Sequence, residues 1–260
     1  ADIALSSEIA WSTETQLTTH QEDQNINPCI MQARDGTIWV VWASNRQGFV
    51  KVTIVYKTSS SQGIDWSTDA NLTETTSYNE SPSIMQANNG TIWVVWASYR
   101  TGNYELFYKT FNGTAWSHDN QLTNDPASDV APSVAQTIDG AVWVVWQSDR
   151  PKEVQDELYY KIYDGSAWSS DTQLTFNPGD DMSPSIAQIN DRKIWVVWQS
   201  DRSDGIYFDI YYKTSSEITA HDVAITNVSP SATIVRQGEI ISISVRCENQ
   251  GTQNETFTVN

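Results

Sequence analysis

The sequence has few basic residues, few cysteines and no long apolar run. It contains 15 Lys and Arg against 32 Asp and Glu, giving a formal net charge of −17 at pH 7. This balance argues against nucleic acid as a partner, because phosphates require Lys and Arg, and against anionic membrane surfaces. No apolar segment approaches the ~20 residues that span a bilayer, so we expect no transmembrane segment in this chain.

Tryptophan, by contrast, is abundant, and its 12 residues follow a fourfold repeat. The segment SPSIMQANNGTIWVVWASYR, residues 81–100, has close counterparts at residues 27–46, 131–150 and 183–202. A period of about fifty residues is typical of solenoids, propellers and arrays. The repeat is therefore the strongest indication of the fold in this sequence.

Each copy has the pattern of short strands joined by tight turns. Residues 92–96 form an apolar run that is rich in β-branched and aromatic side chains and too short for a typical helix. Asp35-Gly36, Asn89-Gly90 and Asp139-Gly140 predict a hairpin turn before this run. The fourth copy has Asp191-Arg192 instead, so its turn must differ. A third strand follows around a Tyr-Lys pair, and a short fourth strand follows a Trp-Ser pair. Four strands in this order make one propeller blade.

The ends of the repeat region predict how the blades close. The fourth copy lacks the Trp-Ser strand, and residues 11–18, WSTETQLT, supply one at the start of the chain. An outer strand borrowed in this way joins the last blade to the first and removes exposed strand edges. We therefore predict an all-β fold, with a closed four-bladed β-propeller over residues 1–216.

The repeat stops near residue 216, and residues 217–260 have another pattern. Residues 239–247 alternate apolar and polar side chains, as a half-buried strand does. These residues are too few for a sandwich of roughly seven strands. We predict an incomplete Ig-like β-sandwich segment. Cys29 and Cys247 fall in different domains, and a disulfide between them is the less favoured alternative.

Two families of propeller proteins are similar to the blade region. Residues 122–159 resemble the TolB-type repeat through Leu122-Thr123-Asn124-Asp125-Pro126, Trp143 to Trp146 and Ser148-Asp149-Arg150. The turn Ser59-x-Ser61-x-Gly63-x-x-Trp66 is similar to the Asp-box of sialidase-like propellers, with Ser61 where that family has Asp. Both resemblances imply a propeller, and neither specifies a function.

The C-terminal segment resembles another module, which implies an extracellular protein. HDVAITNVSP and VRCENQG are similar to the first strands of a CARDB module, an Ig-like domain of bacterial and archaeal surface proteins associated with adhesion. The sequence starts at Ala1 without a basic or apolar leader, so we expect any signal peptide to be already removed or outside this sequence. Asn-x-Ser/Thr triplets are compatible with a secreted glycoprotein. The candidate glycosylation sites are Asn71, Asn79, Asn89, Asn112, Asn227 and Asn254.

One ring of side chains is a candidate cation site. Each blade has Asn or Asp three residues before the Pro of its first strand, and first strands line the channel of a propeller. We predict that these oxygen donors approach the axis, where Ca²⁺ would find hard ligands. The alternative is that each side chain caps its own turn. The four residues are Asn25, Asn79, Asp129 and Asp181; no other cofactor is expected.

The other marked side chains have structural interpretations. The arginines and lysines that recur in every blade are interpreted as ties to a neighbouring blade, and all the tryptophans as core. Carboxylates are common in the loops that lead into the blades, Glu80 among them, and we interpret them as a solvated surface. Four loop tyrosines lie outside the repeat pattern and are the candidates for contact with a partner: Tyr78, Tyr99, Tyr104 and Tyr207.

These observations predict a non-catalytic extracellular or cell-surface protein. The propeller would be a rigid scaffold for protein contacts, adhesion or assembly. The C-terminal strands would link it to further modules or add to the sheet of a neighbouring subunit in a filament. We predict no enzymatic activity, because no convergent catalytic set is found. The alternative is a sialidase-like enzyme or lectin that acts on glycans.

Overall fold

The computed structural model of the protein describes residues 12–18, 23–45, 51–74, 77–150, 155–189, 192–217, 223–230 and 243–249. These residues contain 17 β-strands and no helix. Within the described ranges there is consequently no helix that could cross a membrane. The prediction of an all-β protein is confirmed.

Three blades are four-stranded antiparallel sheets, in sequence order. Blade 1 consists of β1 (Asn25–Gln32), β2 (Ile38–Ser44), β3 (Thr53–Ser59) and β4 (Ala70–Asn71). Blade 2 consists of β5 (Asn79–Gln86), β6 (Ile92–Ser98), β7 (Glu105–Phe111) and β8 (Asn120–Gln121). Blade 3 consists of β9 (Asp129–Gln136), β10 (Val142–Ser148), β11 (Glu157–Tyr163) and β12 (Thr172–Gln173).

The fourth blade has three described strands, β13 (Asp181–Gln188), β14 (Lys193–Ser200) and β15 (Asp209–Glu217). A separate two-stranded antiparallel sheet contains β16 (Val223–Pro230) and β17 (Ile243–Asn249). These two strands agree with the predicted C-terminal β-structure, but they do not show a CARDB or Ig-like module. Residues 250–260 of the predicted Ig-like segment lie outside the described residues.

The first strands of the blades lie side by side and form the inner edge of the propeller. The Ser83 Oγ on β5 accepts a hydrogen bond from the Val134 amide on β9 (3.2 Å), and Ser133 on β9 does the same for Ile186 on β13 (3.1 Å). Each inner strand also contains an irregularity just before its Pro, at a residue with positive φ: Asn27, Ser81, Ala131 and Ser183. We call the end of the blades where the inner strands begin the front face.

The hairpins after the inner strands lie on the opposite, rear face. Gly36, Gly90 and Gly140 have φ values of 88, 88 and 89°, a conformation that glycine adopts without strain. In blade 4 the same place is taken by Arg192, with φ of 60°. The three glycine turns are present as predicted. The fourth turn differs less than expected, because the Arg192 amide donates to the Ile189 carbonyl (3.0 Å) as the Gly36 amide does to Ala33 (2.9 Å).

Tryptophan packing holds neighbouring blades together. Trp116, before the outer strand of blade 2, packs across the junction against Trp39 and Tyr56 of blade 1, with ring centroids 6.0 and 5.7 Å apart. The tryptophans of the second strands are largely buried, Trp96 and Trp146 completely. Large buried aromatic side chains dominate core energetics, so the core interpretation of these tryptophans is confirmed.

The recurring lysines tie each blade to the one before it. Lys109 Nζ donates to the Leu72 carbonyl of blade 1 (2.8 Å), and Lys161 Nζ donates to Leu122 of blade 2 (2.8 Å). Lys57 of blade 1 donates in the same way to Leu17 (2.9 Å), which belongs to the N-terminal segment. The predicted lysine ties are therefore present.

The structure does not show the ring closed. Val197, Ile210 and Tyr212 on the outward side of blade 4 are 39, 76 and 65% exposed, whereas Val145 and Leu158 at the corresponding places of blade 3 are buried. Residues 12–18 form no strand, and Trp11 lies outside the described residues. The described residues thus form four blades, and the strand that would close the ring stays a prediction.

The turn that is similar to an Asp-box is built by serine. The Ser59 hydroxyl accepts a hydrogen bond from the Gly63 amide (2.9 Å), and Ser61 accepts one from the Asp65 amide (2.7 Å). Trp66 Nε1 then donates to the Gly63 carbonyl (3.1 Å). A hydroxyl makes this kind of local turn as a carboxylate does, though more weakly, which explains how Ser61 replaces Asp.

Candidate active site

The recurring arginines stack on aromatic rings of their own blades. The Arg100 guanidinium lies 4.1 Å from the Phe107 ring centroid, and Arg150 and Arg202 lie 4.6 and 4.3 Å from Tyr159 and Tyr211 in the same arrangement. Such contacts are favourable cation–π interactions. For Arg100 and Arg202 these contacts do not support the interpretation as ties between blades. Arg150 Nε also lies 3.7 Å from Asp125 Oδ2, in the loop that follows the outer strand of blade 2. Arg46 lies outside the described residues.

The Asn and Asp residues of the predicted cation ring bind inside their blades as well. Asn25 Oδ1 accepts from Trp42 Nε1 (2.8 Å), and the Asn79 amide oxygen accepts from Trp96 Nε1 (3.2 Å). The two acidic members pair with arginine: Asp129 with Arg150 at 2.7 Å and Asp181 with Arg202 at 2.6 Å.

These contacts use most of the side-chain oxygens that Ca²⁺ would need, although Asp129 Oδ1 is buried without a hydrogen-bond partner. Guanidinium groups already compensate the two carboxylates, and indole groups bind the two amides. In the part of the chain that the structure describes, no group of three or more His, Cys, Asp or Glu is arranged to hold a metal ion. Calcium binding stays a prediction for which the geometry offers no preformed site.

The glycosylation candidates have different environments. Asn71, Asn89 and Asn112 are exposed. Asn79 is completely buried, and its Nδ2 donates to the Val52 carbonyl (2.7 Å), so the folded blade leaves no room for a glycan there. The Asn227 side chain and Asn254 lie outside what the structure describes.

Three of the four tyrosines predicted to contact a partner meet on the front face of blade 2. Tyr99 and Tyr104 pack edge to face with ring centroids 5.2 Å apart. The Tyr99 amide donates to the Tyr78 carbonyl (2.9 Å), which brings the loop before β5 to the end of β6. Tyr78 and Tyr99 are 40 and 48% exposed. Tyr207 is 71% exposed on blade 4, between β14 and β15.

A partly buried carboxyl group, that of Glu80, lies beside these tyrosines. Glu80 is the second residue of β5, and its carboxylate accepts a hydrogen bond from the Tyr104 hydroxyl. Burial raises the pKa of Glu80 above its ordinary value, and the hydrogen bond from Tyr104 offsets part of this shift. Burial also raises the pKa of Tyr104, with the nearby Glu80 carboxylate as a further cause. Tyr104 therefore keeps its proton and can orient the carboxyl group.

Glu80 breaks the symmetry of the repeat. The other blades have an apolar residue at this position, Ile26, Val130 or Met182. Burial of an ionisable group where an apolar one would pack costs free energy. Glu80 is half-buried, so it is less solvated than the sequence-based interpretation of a surface residue assumed.

A second carboxyl group of this kind lies on blade 3. Asp156 directly precedes Glu157 of β11, as Tyr104 precedes Glu105 of β7. Gln147 Nε2 donates to Asp156 Oδ2 (2.8 Å). Burial is the main cause that raises the pKa of Asp156, and the carboxylates of Asp180 and Asp149 raise it further.

Both carboxyl groups lie where the inner strands begin. The Tyr104 carbonyl accepts from the Asp129 amide at the start of β9 (2.8 Å), and the Asp156 carbonyl accepts from the Asp181 amide at the start of β13 (2.8 Å). Glu80 and Asp156 thus lie on the same face of neighbouring blades. Sequence analysis missed Asp156; a comparison of equivalent positions across the four blades would have revealed both residues. Carboxyl groups whose pKa values are raised by burial are candidates for functional sites.

Comparison with solved structures agrees with a propeller. Similar folds include an α-L-arabinanase of Penicillium chrysogenum complexed with arabinobiose (TM-score 0.61, 12% identity, 74% of this chain and 63% of that chain covered). They also include the GH93 α-L-arabinofuranosidase of Fusarium graminearum with arabinobiose (TM-score 0.61, 13% identity, 75% of this chain and 63% of that chain covered). A Hadza microbial sialidase is similar as well (TM-score 0.56, 13% identity, 72% of this chain and 46% of that chain covered). The chain thus spans less than two thirds of the length of these proteins. No family model and no curated protein sequence matches it.

These neighbours overturn the functional prediction made from the sequence. They are glycoside hydrolases, and a GH43 endo-arabinanase of Bacillus licheniformis is similar as well (TM-score 0.51, 16% identity). The predictions of a non-catalytic scaffold for adhesion or filament assembly, and of no enzymatic activity, are therefore wrong. At this identity the similarity establishes the fold alone, and the activity has to be argued from the site.

Proposed function

We propose that the protein is a glycan-active enzyme that hydrolyses glycosidic bonds on the front face of the propeller. The observation that carries this proposal is the pair of partly buried carboxyl groups, Glu80 and Asp156, on adjacent blades with raised pKa values. Glycoside hydrolysis generally uses two such groups, one on each side of the scissile bond. The similarity to glycoside hydrolases supports the same class.

Glu80 is the proposed general acid. An acid has to hold a proton near neutral pH, and burial of Glu80 favours its protonated form. The proton would pass from the Glu80 carboxyl to the oxygen of the leaving sugar as the glycosidic bond breaks. Tyr104 restrains the carboxyl group through its hydroxyl.

Asp156 is the proposed second carboxylate. It would act in its ionised form, either as the nucleophile that attacks the sugar carbon or as the general base that activates a water molecule for this attack. Gln147 positions it, since the side-chain amide donates to Asp156 Oδ2 and its own oxygen accepts from the Ser183 amide (3.3 Å). Blades 3 and 4 together therefore hold this group in place.

The proposed substrate is a neutral glycan, such as an arabinose polymer. Tyr78 and Tyr99 are partly exposed beside Glu80 and offer flat aromatic faces to the apolar side of a sugar ring. An anionic sugar would need a free guanidinium group, but Arg100 and Arg150 are already paired with Asp119 and Asp171 (2.5 Å each). This favours arabinan over sialic acid as substrate class.

The test is a hydrolysis assay of the full chain on linear arabinan, 4-nitrophenyl α-L-arabinofuranoside and a 4-methylumbelliferyl sialoside. We expect turnover of an arabinose substrate and none of the sialoside. Glu80→Gln and Asp156→Asn should each lower kcat/KM by about 10²–10⁴-fold, the usual contribution of an acid or base. Glu74→Gln, an exposed carboxyl group in the loop before blade 2, is the matched control and should retain activity.

The pH dependence separates the acid from a merely structural carboxyl group. As the pH rises through the raised pKa of Glu80, the acid loses its proton and kcat/KM should fall. Glu80→Gln should abolish this descending limb. Binding of arabinan without turnover, or full activity of Glu80→Gln, would contradict the proposal.

The location and the finer fold belong to the same proposal. A glycan hydrolase meets polymeric substrate outside the cell, and the exposed Asn71, Asn89 and Asn112 triplets are compatible with secretion. We propose that the ring closes at four blades and that residues 217–260 begin an Ig-like module, a view supported by the antiparallel pairing of β16 with β17. Limited proteolysis between residues 217 and 223 should release an intact propeller; cleavage within the blades instead would contradict the domain boundary.

A further inference from the structure

A pocket lies on the rear face, between blades 2 and 3. Its volume is about 350 Å³. Blade 2 contributes Asn89 and Thr91 from the hairpin between β5 and β6, and Asn120 from β8; blade 3 contributes Gln136 and Tyr163. Pockets that bind small molecules usually measure about 300–1,000 Å³. This pocket, which we call the rear pocket, is therefore large enough for a small ligand.

The lining of the rear pocket is uncharged. Among the described residues, no Asp, Glu, Lys or Arg lines it, although the chain contains 32 Asp and Glu. An ion that leaves water without a partner of opposite charge loses free energy. A phosphate, a carboxylate or a metal ion would find no such partner here, so the lining favours a neutral ligand.

Two side-chain amides offer hydrogen bonds to such a ligand. Asn89 Oδ1 accepts from the Thr91 amide (3.0 Å), which leaves Asn89 Nδ2 as a donor. Asn120 Nδ2 donates to the His118 carbonyl (2.8 Å), which leaves Asn120 Oδ1 as an acceptor. A hydroxyl group both donates and accepts. A ligand that carries several hydroxyl groups therefore matches both amides.

Aromatic rings form the apolar wall of the rear pocket. Trp93 stacks on Tyr108 with ring centroids 5.3 Å apart, and Tyr163 of blade 3 lies 5.6 Å from Trp93. All three residues line the pocket, and Tyr163 is partly exposed. Tyrosine combines an apolar ring with a polar hydroxyl. An apolar wall beside amide groups suits a sugar, which has C–H groups as well as hydroxyl groups.

The corresponding junction between blades 1 and 2 has a less polar lining. Ala70 takes the place of Asn120, since both pair with the tyrosine of the third strand. Phe111 takes the place of Tyr163, since both contact the first tryptophan of the preceding blade at 5.6 Å. The hydrogen-bonding groups of the rear pocket are thus departures from the repeat and not a requirement of the fold.

An arginine also bridges the junction between blades 1 and 2. The Arg34 guanidinium donates to Asn88 Oδ1 (2.5 Å) and to the Asn88 carbonyl, so its side chain crosses from the hairpin of blade 1 to that of blade 2. Asn88 takes the place of Arg34 at the next junction. Its side-chain oxygen binds back to blade 1, so Asn88 does not bridge the rear pocket as Arg34 bridges the preceding junction.

We propose that the rear pocket is a second, non-catalytic binding site for a neutral sugar, such as the end of a glycan chain. Asn89 donates to one sugar hydroxyl group, Asn120 accepts from another, and the rings of Trp93 and Tyr163 contact the C–H side. The site lies on the opposite face from Glu80, so it does not depend on the proposed hydrolysis. On a polymeric substrate it would keep the glycan attached while the front face acts.

NMR spectra that correlate side-chain amide protons with nitrogen report on the rear pocket directly. L-Arabinose, D-galactose and D-galacturonate are titrated separately into the full chain, produced in a host that does not glycosylate Asn89. The Asn89 and Asn120 signals are assigned by their loss in Asn89→Ala and Asn120→Ala. We expect saturable shifts of both signals with at least one of the two neutral sugars and none with galacturonate.

The preceding junction supplies the variant that tests the contacts. Asn120→Ala with Tyr163→Phe gives the rear pocket the side chains that blades 1 and 2 already accommodate, so this variant should fold. Loss of the hydrogen bonds should raise the Kd of the sugar at least about tenfold, followed at the Asn89 signal. Thr172→Ala changes the corresponding position of blade 3, which pairs with Tyr160, and should leave the Kd unchanged.

Three results would overturn the proposal: no saturable shift with either neutral sugar, equal shifts with galacturonate, or an unchanged Kd in the double variant. Hydrolysis of 4-nitrophenyl α-L-arabinofuranoside is measured alongside and should be unchanged in the double variant, because this small substrate needs only the front face. Loss of that hydrolysis would show that the pocket is not a separate site. Sugar binding by a chain without hydrolytic activity would contradict the proposed function but support the rear site.

Discussion

Replacement of Arg150 by Met should destabilise the propeller far more than the same change at Arg100. Both guanidinium groups stack on an aromatic ring and pair with an aspartate of the outer-strand loop. Only Arg150 compensates a completely buried charge, because blade 3 has Asp129 where blade 2 has the neutral Asn79. The two blades thus provide a natural comparison within one chain.

The magnitudes follow from these contacts. Removal of one partner of a buried ion pair costs about 3–5 kcal/mol, because the remaining charge is uncompensated. Arg100→Met loses a cation–π contact worth about 1–2 kcal/mol and a partly exposed ion pair worth less than about 1 kcal/mol. Asp119 keeps Lys109 as a partner at 3.1 Å. The stacking and the outer-loop ion pair are lost in both variants and cancel, and Arg100→Met also loses a hydrogen bond to Asn79 worth about 1 kcal/mol. We therefore expect a difference of about 2–4 kcal/mol in the free energy of unfolding between the two variants.

Urea unfolding followed by tryptophan fluorescence measures this difference, provided that the m-value is unchanged. Asp129→Asn in the Arg150→Met background should restore about 2 kcal/mol, since it makes blade 3 resemble blade 2. Equal losses for the two arginine variants, or no recovery in the double variant, would show that stacking and not charge compensation keeps the arginine in place.

Three further outcomes are expected. Burial raises the pKa values of Glu105 and Glu157, so the folded protein binds these protons more tightly than the unfolded chain. Stability should therefore be highest at mildly acidic pH and should be lost as the pH rises through the folded pKa values. A Tm that increases steadily from pH 5 to 8 would refute this. Arg192→Gly should raise Tm by about 2–4 °C, because a left-handed non-glycine residue costs about 1 kcal/mol; a lower Tm would show that the Arg192 side chain stabilises its turn. A chelator should leave Tm unchanged, because indole and guanidinium groups already bind the ring of Asn and Asp. A decrease in Tm that Ca²⁺ reverses would instead support the metal-site prediction.

The repeat made the sheets predictable from the sequence. Hairpin glycines, the apolar run at residues 92–96 and the Tyr-Lys strand each fixed one strand of the blade. The tyrosine cluster was also accessible, because Tyr78, Tyr99 and Tyr104 stood outside the repeat. Deviation from a periodic pattern is therefore the informative signal in such a chain.

The carboxyl groups were harder to interpret. Glu80 looks like one acidic residue among many in a chain with 32 Asp and Glu. Its environment depends on burial and on Tyr104, which lies 24 positions further along and packs against the hydrophobic cluster between blades 2 and 3. The arginines were misinterpreted for a related reason: a sequence does not reveal which neighbour a long side chain bends towards. Phe107 and Tyr159 take the guanidinium groups because they lie on the adjacent strand of the same sheet.

The lysine ties have an evolutionary consequence. Each one binds a main-chain carbonyl, such as that of Leu72 or Leu122, and no substitution of the neighbouring blade removes a main-chain carbonyl. A duplicated blade that keeps its lysine and its junction tryptophan would therefore find the same acceptor on its parent. Blades could diverge one at a time, as the blade that acquired Glu80 did, without losing their attachment. Gene duplication followed by specialisation of a single copy is the history that this mode of attachment permits.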